Sequence, residues 1–113
     1  MLFRSRSRII NQSSTLGSLG VLSDPNSPYY GMNMLAYNFS KAALNALTLA
    51  LANDLVAQEI SANSVCPGWV KTDIGSDAAP RTVEQGAAIA VKLATMSDPP
   101  TCKYLDDGGE IPW

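Results

Sequence analysis

Residues Asn33 to Gln58 carry Leu35, Phe39, Ala42, Ala43, Ala46, Leu47, Ala50, Leu51 and Leu55 at helical spacing, and this run constrains the fold more than any other feature. Ala and Leu dominate it, as helix propensity favours. A helix over 33–58 exceeds the usual length of about 10–14 residues, so it should cross a whole domain. Its polar positions Asn38, Ser40, Lys41 and Asn45 do not share one outer face. Some of them should therefore meet a site or a partner.

Short strand signals flank this run. Arg8 to Ser14 reads as a buried strand ending in hydroxyl residues, and Ile60 to Cys66 as a second strand, alternating apolar and polar, that Pro67-Gly68 stops. Thr15 to Met32 reads as loop, punctuated by Gly17, Gly20, Pro25, Pro28 and Gly31. Thr82-Val83-Glu84-Gln85 fits a capping box opening a second helix, which runs to about Met96 before Ser97-Asp98-Pro99-Pro100. Lys103-Tyr104-Leu105 is a last strand, followed by the turn Asp106 to Gly109. Strand, long helix, strand, helix, strand is the alternation of an α/β parallel sheet with crossover helices. Three strands are few for two helices, so the sheet looks truncated or completed by another chain.

Composition narrows the function classes. The 113 residues suit one domain, with 46% hydrophobic and 16% charged residues and a net charge of -2. No basic stripe exists for nucleic acid, and no apolar run is long enough to span a membrane. Histidine is absent, which removes a Ser-His-Asp triad and any Cys/His metal site; no metal is expected. Cys66 and Cys102 make no disulfide framework; Cys66 reads as a small buried hydrophobe in a reducing compartment. The Met1–Arg8 stretch, rich in Arg and Ser, fits either an organelle transit peptide or a solvated turn leading into a strand. Two glycosylation sequons, at Asn11 and Asn38, read as chance matches in a non-secreted protein.

The chemistry-bearing feature is Tyr37-Asn38-Phe39-Ser40-Lys41, a phenol and an ammonium four residues apart on one helix face. An ammonium beside a phenol favours the phenolate, which suits a proton donor serving a carbonyl near neutral pH. Alone, the pair reads first as a surface contact between a helical Tyr and Lys. Ser13-Ser14 and Pro67-Gly68 change this, because both close strands at the carboxyl edge where open parallel sheets bind ligands.

Taken together, Asn11-Gln12-Ser13-Ser14, then Tyr37-x-x-x-Lys41, then Asn63-Ser64-Val65-Cys66-Pro67-Gly68 resembles the ordered signature of the short-chain dehydrogenases/reductases. Gly68 to Asp73, Pro80 to Gly86 and the terminal Ile111-Pro112-Trp113 look like its carbonyl-reductase-like branch. The resemblance implies the C-terminal half of a Rossmann-type doubly wound parallel sheet over residues 1–113, with the N-terminal cofactor-binding half missing. It implies an NAD(P)-dependent oxidoreductase that reduces a carbonyl or oxidises an alcohol, with NADPH favoured over NAD. Tyr37 would exchange a proton with the reacting oxygen. Lys41 would support it and hold the nicotinamide ribose, and Ser14 would hydrogen-bond the substrate oxygen. Pro67, Gly68, Val70 and Thr72 would line the nicotinamide and phosphate side, with Asn63 structural. The resemblance also allows a homodimer through helix 33–58; separately, a cytoplasmic location is expected, with organelle import left open.

The departures are specific. No glycine-rich turn precedes a helix, since Gly17 and Gly20 follow the serine strand, and the family's Asn-Asn-Ala-Gly segment is absent. The Ser23 to Gly31 segment would overhang the substrate mouth, where Tyr29, Tyr30 and Met32 read either as lining or as loop packing. Two alternatives stay open. One is an inactive remnant whose long helix only docks a partner; the other is an epimerase sharing Tyr-x-x-x-Lys, against which Pro67 to Val70 and Ile111 to Trp113 argue.

Overall fold

A computed structural model describes residues 7–113; residues 1–6, and with them the transit-peptide expectation, lie outside the described residues. The elements run β1 (Arg8–Gln12), a 3-10 turn (Thr15–Gly17), α1 (Leu19–Ser23), α2 (Leu35–Asp54), a second 3-10 turn (Val56–Gln58), β2 (Ser61–Val65), α3 (Val83–Thr95), β3 (Lys103–Asp106) and β4 (Gly109–Glu110). The sheet order is β1-β2-β3-β4, with the first three strands parallel and β4 antiparallel to β3.

Register explains how two helices are held. Ile10 lies opposite Asn63 and Asn11 opposite Ser64. Successive strand side chains point to opposite faces. Asn11 and Ser64 reach Thr48 of α2, whereas Ile10 and Val65 pack with Ile89 and Leu93 of α3. The two helices therefore cover opposite faces, and the sheet is doubly wound. All five residues of β2 are buried, because both its faces are covered. The apolar/polar alternation expected of this strand does not separate inside from outside here. Its polar members are paired instead: Asn63 donates to the Pro100 carbonyl (2.8 Å) and accepts from the Lys103 amide (3.0 Å), bracing the entry to β3.

The long helix is inverted relative to simple amphipathicity. Its buried residues are Asn45, Thr48 and Ala52, while Leu35, Phe39 and Leu47 are 73%, 72% and 52% exposed. The Thr48 hydroxyl accepts from Asn11 Nδ2 (2.9 Å) and from Ser64 Oγ (2.8 Å) and donates to the Leu44 carbonyl (2.9 Å). Buried polar groups are tolerated when they satisfy one another.

Other differences have local causes. The segment expected as loop after Thr15 holds a 3-10 turn and α1, because Ser14 Oγ accepts from Leu16 N (3.2 Å) and Ser18 Oγ from Val21 N (3.1 Å). Such serine caps supply what helix starts lack. The helix expected to reach Gln58 stops at Asp54; the last turn tightens to 3-10 and Glu59, at φ 57°, reverses the chain into β2. The capping box at Thr82 is present on both sides, with Gln85 N donating to Thr82 Oγ1 (3.1 Å) and Thr82 N to Gln85 Oε1 (2.9 Å). Beyond β3 the expected turn is a hairpin that adds β4, with Gly108 N donating to Asp106 Oδ1 (2.8 Å). Lys103 and Glu110 pair across it at 2.7 Å, and this contact raises the Lys103 ammonium above its ordinary value. No described helix is long and apolar enough to cross a membrane.

Candidate active site

Beside the carboxyl end of β1 an open cleft of about 480 Å³ brings together residues from four parts of the chain. Gln12 comes from the end of β1, Tyr37 from the first turns of α2, and Pro67, Gly68, Val70 and Thr72 from the segment after β2. Gly86, Ala87 and Ala90 of α3 form the opposite wall. The volume lies within the range of about 300–1,000 Å³ typical of small-molecule sites. Five of the seven residues singled out from the sequence thus line one cavity. Trp69 and Ile74 line it too, although the sequence drew no attention to them as individual positions.

Tyr37 is 40% exposed, and the Lys41 ammonium lies 5.8 Å from its ring centroid, a weak cation–π distance. Lys41 Nζ donates to the Gln12 carbonyl at 3.0 Å, so the strand end anchors the ammonium. Lys41 itself is outside the cleft lining, one shell behind Tyr37 and Gln12. The close approach of the serine turn to α2 requires glycine: a Cβ on Gly17 would lie 2.7 Å from Lys41 Cβ and 2.8 Å from the Lys41 carbonyl carbon. Asn45 Nδ2 donates to the Gly17 carbonyl at 3.3 Å from below.

Ser13 and Ser14 are separated by the fold. Ser13 is buried, its amide donating to the Val65 carbonyl at 2.7 Å and its side chain facing the Tyr104 hydroxyl. Ser14 is partly exposed, with extended backbone, and its Oγ caps the 3-10 turn. Because that oxygen accepts from Leu16 N, its hydroxyl hydrogen is free to donate. Ser14 does not line the cleft, and neither do Tyr29, Tyr30 or Met32, which are exposed on the surface. Cys66 is buried as expected and is in contact with Thr15, Sγ to Oγ1 being 3.0 Å. Tyr104, on β3, is 1% exposed; its hydroxyl donates to the Ser14 carbonyl, and burial pushes its phenol well above the ordinary tyrosine value. It was not singled out as functional in the sequence, where it reads only as a strand residue.

Comparison with known proteins places this arrangement. The family model described as Enoyl-(Acyl carrier protein) reductase matches residues 2–99. The NADPH carbonyl reductase 3 of Rattus norvegicus is 46% identical over 65 residues, which cover 54% of this chain and 24% of that protein. Two solved structures superpose over nearly all of this chain. The carbonyl reductase Sniffer of D. melanogaster does so with a TM-score of 0.74 and 35% identity, covering 96% of this chain and 42% of that one. An NADPH-bound carbonyl reductase from chicken fatty liver gives a TM-score of 0.75 and 33% identity, covering 94% of this chain and 42% of that one. The chain thus spans less than half the length of these proteins. With the matching family model, the doubly wound sheet and these neighbours in agreement, the chain belongs to the short-chain dehydrogenase/reductase family, on its carbonyl-reductase-like side.

Proposed function

We propose that this chain forms the catalytic wall of an NADP(H)-dependent oxidoreductase that interconverts a small carbonyl compound and its alcohol. The observation that carries this reading is the shared cleft of Tyr37, Pro67, Gly68, Val70 and Thr72. The relatives named for NADPH, and the NADPH-bound neighbour, support NADP(H) as the cofactor. The cleft suits the nicotinamide and ribose end of such a dinucleotide, being apolar on the α3 side and hydroxyl-bearing at Tyr37 and Thr72. The 113 residues contain no glycine-rich turn opening a helix, so the pyrophosphate has no cradle among them. On this reading residues 1–113 act as the catalytic part of a larger Rossmann-type domain, in a cytoplasmic protein.

When bound, NADP(H) would lie against Pro67, Gly68, Val70 and Thr72 and would supply hydride chemistry for the carbonyl/alcohol pair. Tyr37 gives its phenolic proton to the carbonyl oxygen as that oxygen gains charge, and takes it back in the reverse direction. Lys41, held by the Gln12 carbonyl, places positive charge beside the phenolic oxygen as the proton leaves. We further propose that Ser14, whose hydroxyl hydrogen is free and which lies outside the cleft lining, donates it to the same substrate oxygen. Pro67, Gly68 and Val70 exclude water from the nicotinamide side, with Thr72 offering a hydroxyl toward the phosphates.

The test is an NADPH titration of the whole protein that carries these residues. A Cβ on Gly86 would lie 2.5 Å from Val70 Cγ2, so Gly86→Ala must displace the Val70 side chain, and both residues line the cleft. The expected result is binding by the parent and affinity weakened about ten-fold in Gly86→Ala, equivalent to about 1.4 kcal/mol. A parent that ignores NADPH would sink the oxidoreductase reading and leave the docking alternative in its place.

A second feature favours self-association. The exposed Leu35, Phe39 and Leu47 row on α2 is the kind of apolar surface that a monomer rarely leaves bare. We propose a homodimer through this helix. Sedimentation should show a dimer that Phe39→Asp converts to monomer; an unchanged sedimentation coefficient argues against pairing through this face.

A further inference from the structure

The segment that carries Ser14 is held from the far end of the chain, and this hold is built around Tyr104. The Tyr104 hydroxyl donates to the Ser14 carbonyl across 90 residues of sequence. Its ring stacks on Trp113 with centroids 5.5 Å apart and planes 25° from parallel. The tail that carries Trp113 is fastened on both sides. Ile111 N donates to the Tyr104 carbonyl (2.8 Å), Ser18 Oγ donates to the Pro112 carbonyl, and Gly20 N donates to the Trp113 carbonyl (3.1 Å). The 3-10 turn after Ser14 and the start of α1 are thus gripped from below and from the side.

We propose that Tyr104 is a positioning residue for Ser14, its hydroxyl fixing the backbone from which the serine side chain donates to substrate. This rests on the role of Ser14 proposed above. Two features make the geometry more than packing. Ser14 Oγ is already tied to Leu16 N, so its direction follows the backbone that Tyr104 holds. The Tyr104 phenol is also buried and kept protonated, so it remains a donor throughout the ordinary pH range.

Tyr104→Phe removes only the hydroxyl and keeps the stack on Trp113. In the whole protein, NADPH-dependent turnover should fall about ten-fold in kcat, because displacement of a positioned group by a fraction of an ångström to an ångström costs rate of this order or more. KM for NADPH should stay within about two-fold, since Tyr104 is outside the cleft lining. In a Ser14→Ala background the same change should cost nothing further, the signature of two residues acting as a unit. Amide exchange at Leu16 should quicken in Tyr104→Phe, as the cap loosens. Equal losses in both backgrounds, or unaltered exchange at Leu16, overturn the inference. Quickened exchange together with full turnover by Ser14→Ala has a different meaning: the hold on the segment stands, and the catalytic reading of Ser14 fails instead.

Discussion

Replacing Tyr37 by Phe should lower kcat about 10²- to 10⁴-fold in the whole protein, the range by which a positioned general acid accelerates proton transfer. The ring stays, so its place in the cleft wall and its distance to Lys41 are kept; only the transferable proton is lost. KM for the carbonyl compound should move little, because the missing interaction is made chiefly as charge develops on the reacting oxygen. Steady-state oxidation of NADPH, followed by its absorbance, separates the two parameters. Turnover that survives Tyr37→Phe would remove the proton-donor assignment, whatever the cofactor affinity.

The largest stability effect should come from Thr48→Val, a near-isosteric change deep under α2. Thr48 is fully buried and serves two donors at once, Asn11 Nδ2 and Ser64 Oγ. Valine leaves both without their acceptor, and an orphaned buried donor costs about 1–3 kcal/mol, so the expected loss is about 2–4 kcal/mol. Urea unfolding with an unchanged m-value would report it as a lower midpoint. A neutral Thr48→Val would mean that water or side-chain rotation re-satisfies the pair. Combining Thr48→Val with Asn11→Leu and Ser64→Ala should recover part of the loss, since removing all partners is far cheaper than removing one.

The sequence makes the alternation of strands and helices legible because β-branched and small apolar runs are bounded by Gly and Pro, and because Thr82 and Gln85 write a capping box in local code. It also makes the Tyr37, Pro67, Gly68, Val70 and Thr72 group legible, since each sits at a strand end or on the helix that starts nearby. Three features were not legible. The face of α2 that goes inside is the polar one, and its partners, Asn11 and Ser64, lie far away in sequence. Periodicity reports that a helix is two-faced, and only the strand register decides which face is buried. Helix α1 depends on single serine caps within a glycine-rich stretch, too weak a signal against five residues of helix. The hold on Ser14 runs through Tyr104 and the terminal carbonyls, contacts with no local pattern at all. Strand β4 could have been read from Asp107-Gly108, a dipeptide suited to tight hairpins, had the residues after it looked longer than a stub.

β1 stands at the rim of the sheet, with a ladder neighbour on one side only among the described residues. Arg8-Ile9-Ile10-Asn11-Gln12 offers there a row of backbone donors and acceptors in extended form. For anyone producing these 113 residues by themselves, that rim is the point of colloidal weakness. It is a template on which another extended chain can add, and the strand's one charged residue, Arg8, is turned toward α3, where it donates to the Leu93 carbonyl at 2.7 Å. Self-association of the isolated polypeptide through this rim should therefore grow with its concentration.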